Sequence, residues 1–156
     1  MKVRVLSVGT KMPAWVQEGI AEYSKRMQGE LDFSLHEIPM AKRGKNSNIE
    51  QCILKESDAL LAAIPQNDFV VALDVRGKSF STEGLAEKII GYRRQGQNLC
   101  LLIGGPDGLG APCLERASER WSLSSLTFPH PLVRVVITEQ FYRAISIIKG
   151  HPYHRS

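Results

Sequence analysis

Cysteine is scarce in this chain: three residues in 156, at Cys52, Cys100 and Cys113. An odd number cannot pair completely, and no two have the spacing of metal ligands. Cys100 lies inside the apolar run LCLLI, where a thiol packs as a small hydrophobe. The expectation is three structural thiols in a reducing compartment and no metal site. Long hydrophobic runs are also missing. No stretch approaches the roughly 18 apolar residues of a membrane-spanning helix, and the opening MKVRVLSVGT is broken by polar residues too early for a secretory signal. A cytoplasmic protein without membrane attachment is expected.

The chain shows neither repeats nor a linker. With 43% hydrophobic and 23% charged residues, its composition is that of one globular domain, residues 1–156, long enough to bury a core. The net charge of +4 is modest, but its distribution is uneven. Residues 40–48, MAKRGKNSN, carry Lys42, Arg43 and Lys45 and no acid, and the C-terminus adds Lys149, Arg155 and two histidines. Such segments either contact phosphates or form solvated basic loops. The sequence leaves both open.

Strand and helix patterns alternate along the chain. Val3, Val5, Leu6 and Val8 mark a first strand, ended by Gly9, and Pro13 opens a helix carrying Trp15, Val16, Ile20, Tyr23 and Met27 at helical spacing. A strand over 33–38 puts Phe33, Leu35 and Glu37 on one face. Asn48 is a suitable cap for a helix through Ile49, Ile53, Leu54, Leu60 and Leu61, which Pro65 ends. FVVAL, residues 69–73, is apolar throughout, as expected of a strand covered on both faces, with a turn at Asp74 and Gly77. Ser81 or Thr82 caps a third helix to about Arg94. A buried strand over 99–103, a short helix over 112–119, a strand over 121–123 and a long helix over 132–149 complete the chain. The pattern predicts a single α/β domain with a mostly parallel sheet and helices on both faces.

Ligands of such sheets bind beyond the carboxyl ends of the strands. Three ends here are unusual: Leu73-Asp74, Ile103-Gly104-Gly105-Pro106, and residues 123–129. GGPDGLG is not a dinucleotide fingerprint, because Pro106 breaks the spacing and Ser124-Ser125-Leu126 stand where an acid is needed about 20 residues on. Nor does G-K-S/T follow, as a phosphate loop demands. Two alternatives remain for Gly104 and Gly105, close approach of a flat ligand or a tight strand-to-helix turn. LSSLTFPH, residues 123–130, combines amides and hydroxyls with Leu and Phe side chains, a surface suited to a nucleotide-like cofactor. The last helix is apolar on more than one face, so it is either central to the core or covered by a second copy.

GGPDG, then WSLSSLTFPHPLVRVVITEQFYRA, then HPYHR resembles the small single-domain SPOUT methyltransferases, specifically the ribosomal RNA large subunit methyltransferase H family. VGTKMPAW and IPMAKRGKN match as well, so the resemblance spans the chain. Asp107 stands where glutamate is common in that family, and Thr138 where alanine is. The resemblance implies a C-terminal trefoil knot that holds S-adenosylmethionine against Leu73, Gly104, Leu123, Ser124, Ser125, Leu126, Thr127 and Phe128. It also implies a homodimer that methylates N3 of a pseudouridine in 23S ribosomal RNA, preferring the assembled ribosome.

The N3 proton must be lost as the nitrogen attacks, so a base or an anion-stabilising group is expected. Arg134, Glu139 and Arg143 on the last helix are candidates, but the tail is favoured. Tyr153 would orient the base, and His154 or Arg155 would handle the proton or developing charge, reaching the cofactor of the second subunit. The alternative for this tail is an ordered C-terminal cap. Lys42, Arg43 and Lys45 are assigned to the RNA backbone. Two rival functions are a SPOUT methyltransferase acting on tRNA and a ribosome-binding factor without turnover.

Overall fold

The apolar runs FVVAL and LCLLI become strands here, and the segments with helical periodicity between the strands become helices. The computed structural model describes residues 1–155. Its elements are β1 (Lys2–Val8), α1 (Ala14–Arg26), β2 (Asp32–Ile38), α2 (Ile49–Ala63), β3 (Phe69–Lys78), α3 (Thr82–Arg94), β4 (Leu99–Ile103), α4 (Ala111–Arg116), β5 (Glu119–Trp121) and α5 (His130–Ile148). The strands form one parallel sheet in the order β2-β1-β4-β3-β5.

Both faces of the sheet are covered, which explains why β4 and residues 69–73 of β3 are apolar at every position. Val3, Val5, Val71, Leu99 and Leu101 face one layer, where Leu85 and Ile89 of α3 and Ile137, Phe141 and Ile145 of α5 pack. Leu6, Val8, Val70, Cys100 and Leu102 face the other, against Leu60 of α2 and Cys113 of α4. All three cysteines are buried and free. Asn48 and Ser81 cap α2 and α3, each accepting from the amide three residues on, Gln51 and Gly84. On β2, Phe33 packs at a tilt on Phe141, Leu35 packs on the same cluster and Glu37 pairs with Arg134, so the three residues expected on one face do share it.

Several boundaries differ from the sequence pattern. β3 does not end at Leu73. Leu73 and Lys78 both register with Trp121, so residues 74–77 bulge out between them. Gly77 allows this, since a Cβ there would lie 2.7 Å from the backbone of Arg120 and Trp121. α4 stops at Arg116 because Ser118 already donates its amide to Val70 and joins the sheet, which also starts β5 two residues early. α5 begins at His130, since Pro131 is tolerated in the first helical turn. Trp15 lies 55% exposed rather than on the buried stripe of α1, which Val16 anchors instead.

Candidate functional site

β4 delivers the chain to Gly104, and residues 105–108 fold straight back: the amide of Gly108 donates to the carbonyl of Gly105 at 3.0 Å. Pro106 sets the first corner, and Gly108 takes a φ of 79°. A Cβ on Gly104 would lie 2.7 Å from the amide nitrogen of Leu109. Gly104 is therefore required by the turn itself, and the folded-back turn keeps the strand ends open. Gly110 then packs on α2, where a Cβ would lie 2.8 Å from Ile53 Cγ2.

The opening is a cleft of about 520 Å³, within the ordinary range for small-molecule sites. Its walls come from three strand ends: the bulge 73–76, the turn 103–109, and the segment after β5 that leads into α5. Leu73, Gly104, Leu123, Ser124, Leu126, Thr127 and Phe128 line it. Ser125 is not part of the lining and is exposed. The loop is shaped from within, because Ser122 Oγ donates to the Ser124 carbonyl and Ser124 Oγ accepts from the Leu126 amide, both at 3.0 Å. The lining is mainly apolar. Two carboxylates border it, Asp74 and Asp107. Asp74 is held in place by the Arg76 amide at 3.1 Å.

Sequence patterns missed the bulge and gave His130, the last residue of the 123–130 segment, no individual role. The bulge carries Val75 and Arg76 to the mouth of the cleft, both well exposed. No residue type announces a bulge; only the double registration with Trp121 reveals it. His130 lines the cleft from the first turn of α5, with its Nδ1 buried and unpartnered and its Cε1 close to Gly9. Burial, reinforced by the nearby Arg134 cation, holds its pKa below the usual imidazole value. The histidine that opens the helix after Phe-Pro was the available sign.

Arg134 has a structural role. Its Nη1 donates to Glu37 at 2.8 Å, and its Nη2 donates to the carbonyls of Val8 and Gly9. The tail residues do not line the cleft of their own chain. Tyr153 Oη donates to Glu139 at 3.1 Å, its ring packs on Tyr142 and beneath Arg143, and His154 Nε2 pairs with Glu83 at 2.8 Å. Burial and then Glu139 push the Tyr153 phenol up to about 12. Arg155 is exposed. In the basic loop, Lys42 and Lys45 are exposed, but Arg43 is half-buried and engaged by protein acceptors. It donates to Glu56, Asp107 and the Ala41 carbonyl, using four of its five N–H groups. Of the three basic residues expected at phosphates, Arg43 is thus held inside the protein. Among the described residues no group of three His, Cys, Asp or Glu could hold a metal ion, and no helix is long and apolar enough to cross a membrane.

Comparison with known proteins adds a family to this geometry. A family model described as "Predicted SPOUT methyltransferase" matches residues 1–154. The chain is 52% identical over 155 residues to Ribosomal RNA large subunit methyltransferase H of Saccharophagus degradans, covering 99% of this chain and 100% of that protein. Identity to the protein of the same name from a Marinomonas species is also 52%, with the same coverage. In fold the chain is similar to a structure titled as a probable methyltransferase from Bordetella pertussis, with a TM-score of 0.57 at 13% identity, over 92% of this chain and 95% of that one. The full-length match and the cleft at the strand ends agree: the chain belongs to the SPOUT methyltransferase family.

Proposed function

We propose that the protein transfers a methyl group from S-adenosylmethionine to N3 of a pseudouridine in 23S ribosomal RNA, acting as a cytoplasmic homodimer on the assembled ribosome. The cleft built from three strand ends carries this reading, in a chain 52% identical end to end to relatives named for large-subunit ribosomal RNA methylation. The trefoil-knotted path implied by the family belongs to the same reading. It is supported by the route of residues 122–129, which border the same cleft as the ends of β3 and β4 before α5 returns along α1 and α3.

The residues present suit the cofactor. Leu73, Leu123, Leu126 and Phe128 offer apolar contact for a purine, Ser124 and Thr127 offer polar edges, and Asp74 supplies negative charge for a cationic ligand. When bound, S-adenosylmethionine supplies a methyl group already activated on a sulfonium. The protein's task is then to align the nucleophile, exclude water and accept the N3 proton. Among the tail residues, Tyr153 remains protonated at neutral pH and serves to orient the base. His154 accepts the proton and Arg155 stabilises the developing anion. Because these groups stand outside the cleft of their own chain, the reading places them at the cleft of a second copy. Every residue of α5 is at least partly buried, yet Leu132, Val135, Val136 and Ile147 stay incompletely covered, which supports a partner on that helix. Lys42 and Lys45 contact phosphates, and Arg43 holds their loop.

The test offers ribosomes, free 23S RNA and tRNA to the protein with methyl-labelled cofactor. Label is expected in ribosomes first and in N3-methylpseudouridine after digestion. Label confined to tRNA, or ribosome binding without label, would replace this function with a rival.

A further inference from the structure

Glu56 is a charged group at the bottom of a crowded junction. Its carboxylate is 3% exposed, yet it sits beneath the turn at the end of β4, where a Cβ on Gly105 would lie 3.5 Å from Oε1. A lone carboxylate so placed would be costly. It is compensated from the basic loop, accepting from the Ala41 amide at 3.1 Å, from Arg43 Nη1 at 2.6 Å and from Arg43 Nη2 at 3.2 Å. The guanidinium does not stop there. Its Nε donates to Asp107 Oδ2 at 2.8 Å, and Nη1 also donates to the Ala41 carbonyl. One planar cation therefore binds three segments: the basic loop, the middle of α2, and the turn that walls the cleft. The two carboxylates together hold Arg43 firmly in its charged form.

The three links differ in depth. Glu56 is sealed, whereas Asp107 is 31% exposed on a turn that itself borders the cleft. Asp107 is thus where a ligand can act on the network. A ligand seated against residues 104–108 restricts the turn, the turn presents Asp107 to Nε, and the fixed guanidinium holds the backbone at Ala41 and Arg43. Lys42 lies between these two anchored positions, and Lys45 follows within the same loop. We propose that Arg43 is a positioning residue that couples the cofactor cleft to the basic loop, so that cofactor and RNA each strengthen binding of the other. The coupling rests on the methyltransferase reading above, and linkage requires it to be reciprocal.

The experiment measures ribosome binding by the full-length protein with and without saturating S-adenosylhomocysteine, and cofactor binding by calorimetry with and without ribosomes. For the wild type each ligand should tighten the other on the order of tenfold, within the usual range of coupling between two sites. Asp107→Asn keeps the Glu56–Arg43 pair but removes the anionic acceptor, and should bring the ratio close to one. Asp107→Glu should restore it. Arg43→Lys retains the charge but not the fork that spans two carboxylates, and should also uncouple the sites. A merely structural staple would lower melting temperature or both affinities while leaving the ratio intact. Independent binding in the wild type, or a full ratio in Asp107→Asn, overturns the coupling alone. A wild type that binds neither ligand overturns the coupling together with the function on which it rests.

Discussion

Arg134 Nη2 donates to the carbonyl of Gly9 at 2.8 Å, joining residues 125 positions apart. The contact ties the N-terminal part of α5 to the end of β1, and so places His130 and Val133 at the cleft. Gly9 has a φ of 119°, which turns its carbonyl away from the strand direction, and a Cβ there would press on the Arg134 and His130 side chains. The guanidinium is 1% exposed. Replacing it leaves the Val8 and Gly9 carbonyls without their donor, so Arg134→Met should cost about 3–5 kcal/mol of unfolding free energy. Glu37 is 38% exposed, and water can replace it as a partner. Glu37→Gln keeps an acceptor oxygen for Nη1 and should cost less, about 1–2 kcal/mol. Urea denaturation followed by circular dichroism compares the two, and equal losses would contradict this division.

Gly104→Ala forces its Cβ into the backbone of Gly108 and Leu109. The turn must open, and affinity for S-adenosylmethionine should fall by about tenfold or more, equivalent to about 1.4 kcal/mol. Gly91→Ala is the matched control. It lies within α3 with nothing near its added methyl, and should stabilise the protein by about 0.5–1 kcal/mol without changing affinity. Calorimetry and thermal melts read both outcomes.

The depressed pKa of His130 has a definite sign in stability. Below its ordinary value of 6.5 the unfolded imidazole takes up a proton that the folded one resists. Stability therefore rises with pH from the depressed folded value up to 6.5, and this histidine adds no slope above that. Unfolding free energies measured between about pH 5 and 8 should show this slope in the wild type and a reduced slope in His130→Gln. Unchanged slopes would mean that His130 is not buried as described.

The tail offers a kinetic test. His154→Ala should slow single-turnover methylation by about 100-fold, the low end for general base catalysis. Tyr153→Phe should be milder and leave the pH profile in place, because a phenol pushed up to about 12 does not titrate near neutrality. If Tyr153→Phe, His154→Ala and Arg155→Ala all keep the wild-type rate, the tail is only a cap. If the chain acts as the proposed homodimer, mixing His154→Ala with Gly104→Ala chains should recover activity, since one of the two sites in a mixed dimer would join an intact cleft to an intact tail.

Thiol chemistry gives a final check. Burial pushes Cys100 up to about 12 and also raises Cys113. Both are fully buried, and Cys52 is nearly so. The native protein should react with a disulfide-exchange reagent at well under one equivalent, and with three equivalents after unfolding.

Sequence by itself determined the elements and the edge of the sheet at which the cleft lies. Periodicity needs only neighbours in the chain: FVVAL and LCLLI could be buried strands before any partner was known, and Asn48 and Ser81 bond within their own first turns. Because a parallel sheet gathers its carboxyl ends, Leu73, Gly104 and Leu123 could be grouped as one site from their positions alone. The tertiary structure decided what depends on distant pairs. Arg43 belongs with phosphates by composition, but the buried carboxylate of Glu56 on α2 turns it inward and Asp107, 64 residues away, takes its remaining edge. Arg134 resembles any cation on a helix until Gly9 and Glu37 close around it. The bulge at 74–77 exists because both of its ends meet Trp121, and His154 faces Glu83 because α3 lies beside α5. Local spacing can specify a helix or a strand, whereas the role of a charged side chain is set by whichever opposite charge the fold brings within about 3 Å of it.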